Sequence, residues 1–482
     1  MSSPLNPYQS PLTPPPEEQF LAQGKFGPAT SVRYRIIGLT VAMSILLYLD
    51  RFCIGPVTSN IITDLNLDIA QFGWGVGLFF GAYALFQVPA GWLCDVFGSR
   101  KALLIFVLAW SAVTICLGLA NSLWMFLLLR MLLGVAQAGA YPSAAGFIKK
   151  WIPVQGRARA NSMVTMGGRT GGVIAFFFTP MLMLLMARLF HIEVSPWRAV
   201  FILYGLLGFI WAVFFWFQFR ETPRQHPACN AAEVELVEQG IVSVATAPPA
   251  LPVLALLTHR NVWLLSIAGF FVNVGWIFLV SFLTPYLEKT YGADIARMME
   301  AGEDPVAIKQ AVESLKGPLT AITGMFGMLG SITGGVLADF LRRKFGPIWG
   351  RRIPGIVSCT IAATIYIISL FVHNVWIFLF LMSFIYFLVD LGLGALWATY
   401  QDFGGKYVSS VLGFANMCGN LGAALFPIII GYLAKYDLWP VVFMLSSGSF
   451  VIVASVWFFV DPTNQLVKEP KPQGWPPLPK AN

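Results

Sequence analysis

The sequence predicts an all-α membrane protein of twelve transmembrane helices in two related six-helix halves, and three observations carry that prediction. The chain has 482 residues, of which 57% are hydrophobic and only 11% charged, against about 25% charged in soluble domains. Apolar runs long enough to cross roughly 30 Å of hydrocarbon recur from end to end. A loop bearing glycine and aspartate returns at the matching place in each half. A soluble reading is excluded.

Spans are expected near 34–57, 71–92, 101–120, 123–149, 160–188, 197–217, 261–287, 317–340, 352–372, 375–399, 407–433 and 438–460. Residues 1–32 open MSSPLNPYQSPLTPPPEEQF. This proline-rich, polar stretch lacks a hydrophobic signal region and is expected to be a disordered tail, with 461–482 as its counterpart. The halves are then 33–217 and 261–460, joined by a polar linker, 218–260. Lys and Arg concentrate in Arg100/Lys101, Lys149/Lys150, Arg220/Arg224 and Arg342/Arg343, which puts those loops, the linker and both tails on the cytoplasmic side. An insertion at 288–316 falls on the other face, where DIARMMEAGEDPVAIKQAVESLK (294–316) is expected to form one or two short amphipathic helices. The net charge of +8 belongs to loops and implies no nucleic-acid partner. Six cysteines (Cys53, Cys94, Cys116, Cys229, Cys359 and Cys418) lack metal or disulfide spacing. No metal or cofactor is expected.

The repeated loop has a physical use. Gly91-Trp-Leu-Cys-Asp95-Val-Phe-Gly98-Ser-Arg100-Lys101 closes span two, and Gly335-Val-Leu-Ala-Asp339-Phe-Leu-Arg342 closes span eight. A carboxylate at a helix end can engage basic groups and a neighbouring helix N-terminus, forming a cytoplasmic gate. The bland alternative is a tight turn with ordinary loop arginines. Two copies favour the gate. Two parallel six-helix halves are also a transporter arrangement, with substrate held near the midplane between them.

Charges inside the spans locate a candidate site. Arg51, in YLDRFCIGP, lies about 22 Å along span one at ~1.5 Å per residue, and Arg130 lies about 10 Å below the same outer face. Each alone can snorkel to headgroups. Their matching depth, with Asp50 adjacent and Gly134 and Gln137 below Arg130, favours an internal cavity. The planar arginine fork suits a carboxylate ligand. Arg169, in MVTMGGRTGGVIAFFFTP of span five, is either a second anion-binding charge suited to a dianion or a snorkelling or structural residue. Asp390 of span ten is its candidate partner. Asn273 and Asn416, in spans seven and eleven, suit sugar hydroxyls or else join helices. Trp397 suits stacking on a sugar face or ordinary packing.

The G-x-x-x-D-x-x-G-x-R-K loop resembles the signature of the major facilitator superfamily. YLDR, GAYALFQVPAGWLCDVFGSRK, RMLLGVAQAGAYPSA from Arg130, Asn273 with FLTPYL, and GFANMCGNLGAALFPIIIGYL resemble its anion:cation symporter family, over roughly 33–460. The resemblance implies the superfamily fold and secondary active transport of a small organic anion by alternating access. Hexuronates, aldonates, glucarate and related carboxylates are the substrates it suggests. It further implies proton-coupled import by a monomer in the cell membrane. It makes Arg51 a carboxylate ligand, Arg130 a functional arginine and Tyr83 a ligand tyrosine, unless that ring only packs. Gln137 departs from the family pattern, which usually has glutamate there, and glutamine cannot carry a proton. Asp50 and Asp390 are then the candidates for proton coupling. Substrate competing for Arg51 would free Asp50 to take up a proton. A permanent Asp50–Arg51 ion pair would instead fit uniport or exchange. An exchanger of phosphorylated sugars and a non-transporting sensor are the rival readings. No nucleophile–base pair, metal cluster or phosphate loop in the spans suggests an enzyme.

Overall fold

In the computed structural model, which describes residues 28–153, 156–190, 195–238, 253–298, 305–404 and 408–466, all regular structure among the described residues is helical. The elements are α1 (Val32–Phe52), α2 (Thr58–Asp64), α3 (Ile69–Phe97), α4 (Ser99–Gly118), α5 (Leu123–Gln137), α6 (Ala140–Trp151), α7 (Arg157–Phe190), α8 (Pro196–Gln218), α9 (Ala231–Glu238), α10 (Val253–Thr258), α11 (Arg260–Ile277), α12 (Leu283–Met298), α13 (Pro305–Ser369), α14 (Val375–Gly404), α15 (Val408–Lys435) and α16 (Trp439–Trp457). Helices suit this composition because lipid offers the backbone no hydrogen-bond partner, and a helix satisfies its own amides.

Eleven stretches of the described residues are long and apolar enough to cross a membrane, and the longest, Leu315–Ser369, covers 55 residues. That stretch is two spans, because Gly346 breaks it with φ 78°. Twelve spans result. Gly98 has φ 79° between α3 and α4, so each half turns from its second to its third span on a left-handed glycine. The sequence motif pointed to Gly98 but not to Gly346.

Several boundaries move. Span one stops at Phe52, and α2 follows as a separate seven-residue helix. Span four is interrupted at Ala138–Gly139, directly after Gln137. Span seven contains a π turn, Phe278–Phe282, and continues through α12 to Met298. Thus much of the 294–316 segment prolongs the flanking spans instead of forming separate short helices. Residues 299–304 and most of both tails lie outside the described residues.

Packing divides the chain into two compact units. The first comprises Met1–Ala247, Val280–Gly324 and Pro427–Lys435, and the second Pro248–Leu279, Met325–Phe426 and Tyr436–Asn482. In the first, α1 packs along α7, α4 along α8 and α3 along α5; in the second, α11 packs along α16. Trp110, Trp151, Trp197, Phe72 and Phe79 are fully buried in the first core. Large apolar side chains such as Trp92, Trp124 and Phe217 are exposed, as a lipid-facing surface requires.

Candidate functional site

The first unit gathers four of the expected residues into one cluster. Arg51 on α1 is 6% exposed and Arg130 on α5 is 2% exposed. The Arg51 guanidinium carbon lies 4.5 Å from the Tyr83 ring centroid, 5.0 Å from that of Tyr48 and 5.3 Å from that of Phe79. Arg130 faces the same Phe79 ring at 4.6 Å. Such aromatic faces stabilise a cation electrostatically where water is scarce. Gln137, fully buried, accepts a hydrogen bond from Arg51 Nε at 3.1 Å through Oε1. Its amide nitrogen donates to the Leu47 carbonyl at 3.3 Å, so the amide is held at both ends. Arg130 Nε donates to the Gly75 carbonyl at 3.3 Å.

Close helix packing makes this possible. A Cβ at Gly134 would collide with the Phe79 carbonyl, so glycine lets α5 approach α3 and brings Arg130 onto the Phe79 ring. Tyr48 and Tyr141 meet edge to face with centroids 6.4 Å apart, and Tyr141 shares a 3.2 Å hydrogen bond with Ser44. Sequence reading missed Tyr48, Phe79 and Tyr141, whose aromatic character is ordinary for a membrane span.

Asp50 behaves differently from the expectation. It is 2% exposed and forms no ion pair with Arg51. Its carboxylate turns toward the Trp110 indole without closing a hydrogen bond of normal geometry. Successive helical residues diverge by about 100°, so neighbours in sequence face different helices. Arg51 Nη2 is buried without a hydrogen-bond partner. Neither Arg51 nor Arg130 has a carboxylate within ion-pair distance among the described residues.

The remaining polar residues sit separately. Arg169 is half-buried on α7 of the first unit, where Gly168 lies against Tyr48 and Tyr141. In the second unit, Asp390 is buried, its Oδ2 lying 2.8 Å from where a Cβ at Gly327 would stand. Asn273 donates to the Gly269 carbonyl of its own helix at 2.9 Å and approaches α15 at Gly419. Asn416 is exposed on α15, and its carbonyl accepts from Asn420 at 2.8 Å. Trp397 is 49% exposed beside Tyr400.

The two motif loops carry ion networks. In the first unit, Glu221 accepts from the backbone N–H groups of Ser99 at 3.1 Å and Arg100 at 2.9 Å, and pairs with Lys150. It therefore caps the N-terminus of α4, where the helix dipole favours an anion. Burial opposes its charge, but the Lys150 and backbone hydrogen bonds prevail and hold its carboxyl below the ordinary 4.5. Arg100 also donates to the Trp216 carbonyl at 2.6 Å, while Lys101 is exposed. The side chain of Asp95 lies outside what is described. In the second unit, Arg351 joins Asp402 at 2.8 Å and Asp339 at 3.6 Å, and Arg342 reaches Asp402 at 3.7 Å. Glu221 and Asp402 were missed because a lone acidic residue in a polar segment has no periodic signal. Added Cβ atoms at Gly91 and Gly335 meet nothing within 4 Å.

A further network occupies the opposite end of the first unit. Lys316 pairs with Glu288 at 3.0 Å, Glu288 accepts from Ser59, and Lys435 pairs with Asp68 at 2.8 Å. Trp197 donates to Asp64 at 2.6 Å. At the motif-loop end, α9 folds back onto α1. Buried Glu233 accepts from the backbone N–H groups of Val32 at 3.3 Å and Arg33 at 2.9 Å.

The chain is similar to a probable sulfoacetate transporter of Cupriavidus necator, 27% identical over 438 residues that cover 89% of this chain and 94% of the relative. It is 25% identical to a probable galactarate/D-glucarate transporter of Bacillus subtilis, over 95% of this chain and 98% of that one. A D-galactonate transporter of Escherichia coli is 24% identical over 87% of this chain and 93% of the relative. Among solved structures, a bacterial homolog of the human lysosomal transporter Spinster, in an inward-facing and occupied conformation, superposes with TM-score 0.68 at 22% identity. That match covers 89% of this chain and 97% of the other. The family model of the Major Facilitator Superfamily matches residues 40–425 and 403–481. With its helical fold and twelve spans, the chain belongs to the major facilitator superfamily and is a multi-pass membrane transporter, not an enzyme.

Proposed function

We propose that this protein moves a small organic anion, a sugar acid or a related carboxylate or sulfonate, across the cell membrane by alternating access. The observation that carries the reading is the pair of buried arginines that have no carboxylate partner among the described residues. A buried cation is costly unless an anion compensates it, and a carried substrate can be that anion. Similarity to chains named as sulfoacetate, galactarate/D-glucarate and D-galactonate transporters supports the same class.

In this reading two six-helix halves, 33–217 and 261–460, flank the substrate, and the basic motif loops, linker and tails face the cytoplasm. Arg51 and Arg130 hold the anionic group, Tyr83 and Gln137 line the site, and Asn273, Asn416 and Trp397 serve hydroxyls and the carbon face. Arg169 adds positive charge. Gly91, Asp95, Gly98, Arg100, Lys101, Asp339 and Arg342 form the cytoplasmic gate. The protein works as a monomer with a proton as coupling ion, and Asp50 and Asp390 are its candidate carriers.

Exchange or uniport is the second reading, and Gln137 favours it, because the side chain bonded to Arg51 cannot ionise. Proteoliposomes with an imposed pH gradient separate the two. Proton symport predicts accumulation of labelled glucarate, galactonate or sulfoacetate in wild type and its loss in Asp50→Asn or Asp390→Asn. Exchange predicts counterflow of labelled for unlabelled substrate without accumulation. Absence of both for every organic anion tried would end the transport reading of this site.

A further inference from the structure

We infer that the ligand of the arginine cluster carries two negative charges at once, and that Gln137 sets this requirement by orienting Arg51 without neutralising it. The inference rests on the proposed anion-transport reading and narrows its substrate class.

Charge balance carries the argument. Arg51 and Arg130 bring two permanent positive charges to one Phe79 ring, both more than nine-tenths buried. Arginine stays charged at every relevant pH. Among the described residues, the side chains seen against them are neutral: Tyr48, Tyr83, Phe79 and Gln137 touch Arg51, Phe79 also touches Arg130, and Tyr141 and Ser44 lie beyond Tyr48. Asp50, the acidic residue next in sequence, faces Trp110. A monoanion cancels one of the two charges and leaves a buried cation over, whereas a compact dianion cancels both.

Gln137 has a defined part. Its amide nitrogen is committed to the Leu47 carbonyl, so its oxygen must face Arg51. That bond uses Nε of the guanidinium. Nη2 remains buried and unpartnered, available to a ligand oxygen. A carboxylate at position 137 would make the same bond but subtract one positive charge. Gln137 is thus a positioning residue whose neutrality selects the charge of the substrate.

Matched pairs of probes test this on the purified full-length protein in nanodiscs, by calorimetry or thermal shift at neutral pH. D-Glucarate against D-gluconate, and sulfoacetate against glycolate, each compare a dianion with a monoanion of similar build. Wild type should bind the dianion of a binding pair at least tenfold more tightly. Gln137→Glu should erase or reverse that preference, and Gln137→Met should weaken both probes while keeping it. Should Gln137→Glu fail to give monodisperse protein, Arg130→Gln removes the same unit of charge and should also shift preference toward the monoanion. Equal binding of both members of a pair by wild type would mean that the two arginines share one anionic group, and would overturn the inference while leaving anion transport intact. A Gln137→Glu or Arg130→Gln variant that keeps the full dianion preference would overturn it as well. Binding of no probe at all would count against the underlying transport reading.

Discussion

Two charged regions of the first unit obey opposite rules. At the end away from the motif loops, Lys316 has Glu288 and Lys435 has Asp68. Deeper in the same unit, Arg51 and Arg130 have hydrogen bonds and aromatic faces but no carboxylate among the described residues. Lys316 is as buried as the arginines, so depth does not explain the difference. Nor does side-chain type alone, since buried Arg351 pairs with Asp402 and Asp339 and buried Arg33 with Glu233. What arginine has is an alternative to pairing. Lysine is a strongly hydrated point charge that needs a counter-ion when dry, while the planar guanidinium spreads its charge and lies over rings. Paired charges hold helices in place, and in the proposed transport reading the unpaired ones await a ligand.

The comparison breaks most visibly at Arg51. Arg51→Lys keeps the charge but loses the fork and the Gln137 bond. Substrate binding should fall by about 1.5–3 kcal/mol, roughly 10- to 150-fold, with folding retained; calorimetry on monodisperse protein checks both. Unchanged affinity would show that Arg51 is structural, like Lys316.

Glu288→Gln should act the other way, on stability more than on affinity. It takes the Glu288 carboxylate away from buried Lys316, and losing a charged partner of this kind costs about 3–5 kcal/mol when both groups are buried. Glu288 is itself a third exposed, so roughly half of that is expected, read as a melting temperature lowered by several degrees. A double variant with Lys316→Met should recover part of the loss.

Glu221 offers a pH test at the motif-loop end. Its folded-state pKa lies below the ordinary 4.5, so its stabilisation is complete above 4.5 and vanishes as pH falls through the depressed value. Glu221→Gln should therefore melt earlier than wild type at pH 7 and converge with it in acid. The smallest effect belongs to Asp68→Asn. Its pair with Lys435 is largely exposed, and exposed pairs contribute about 0–1 kcal/mol. Burial is the largest single influence on the Asp68 carboxyl and raises it, but the Lys435 and Gln71 hydrogen bonds and the Lys435 charge together lower it overall. Its small contribution also fades in acid.

The sequence shows these regions unevenly. Long apolar runs mark spans because lipid requires them, and Arg51 and Arg130 stand out as charges where none is cheap. Register is harder to read. Adjacent letters place Asp50 beside Arg51, yet a helix turns them apart. In the sequence Lys316 is only the last residue of the amphipathic insertion, because nothing local marks Glu288 as its partner. Glu221 and Asp402 act at helix ends more than fifty residues from the backbone or arginine they engage, in contacts that hydrophobic periodicity does not encode.

The clasp of Glu233 on α1 bears on how the chain can be divided. Ser31 provides no side-chain cap for α1, so the first turn of the first span borrows its anion from a helix two hundred residues later. A gene cut after residue 238 would give an amino-terminal fragment that carries its own cap, whereas a cut after residue 220 would strand α1 without one. The same reasoning applies to circular permutants and to fusions that exchange halves between relatives: the junction belongs after α9, and the first half travels with it.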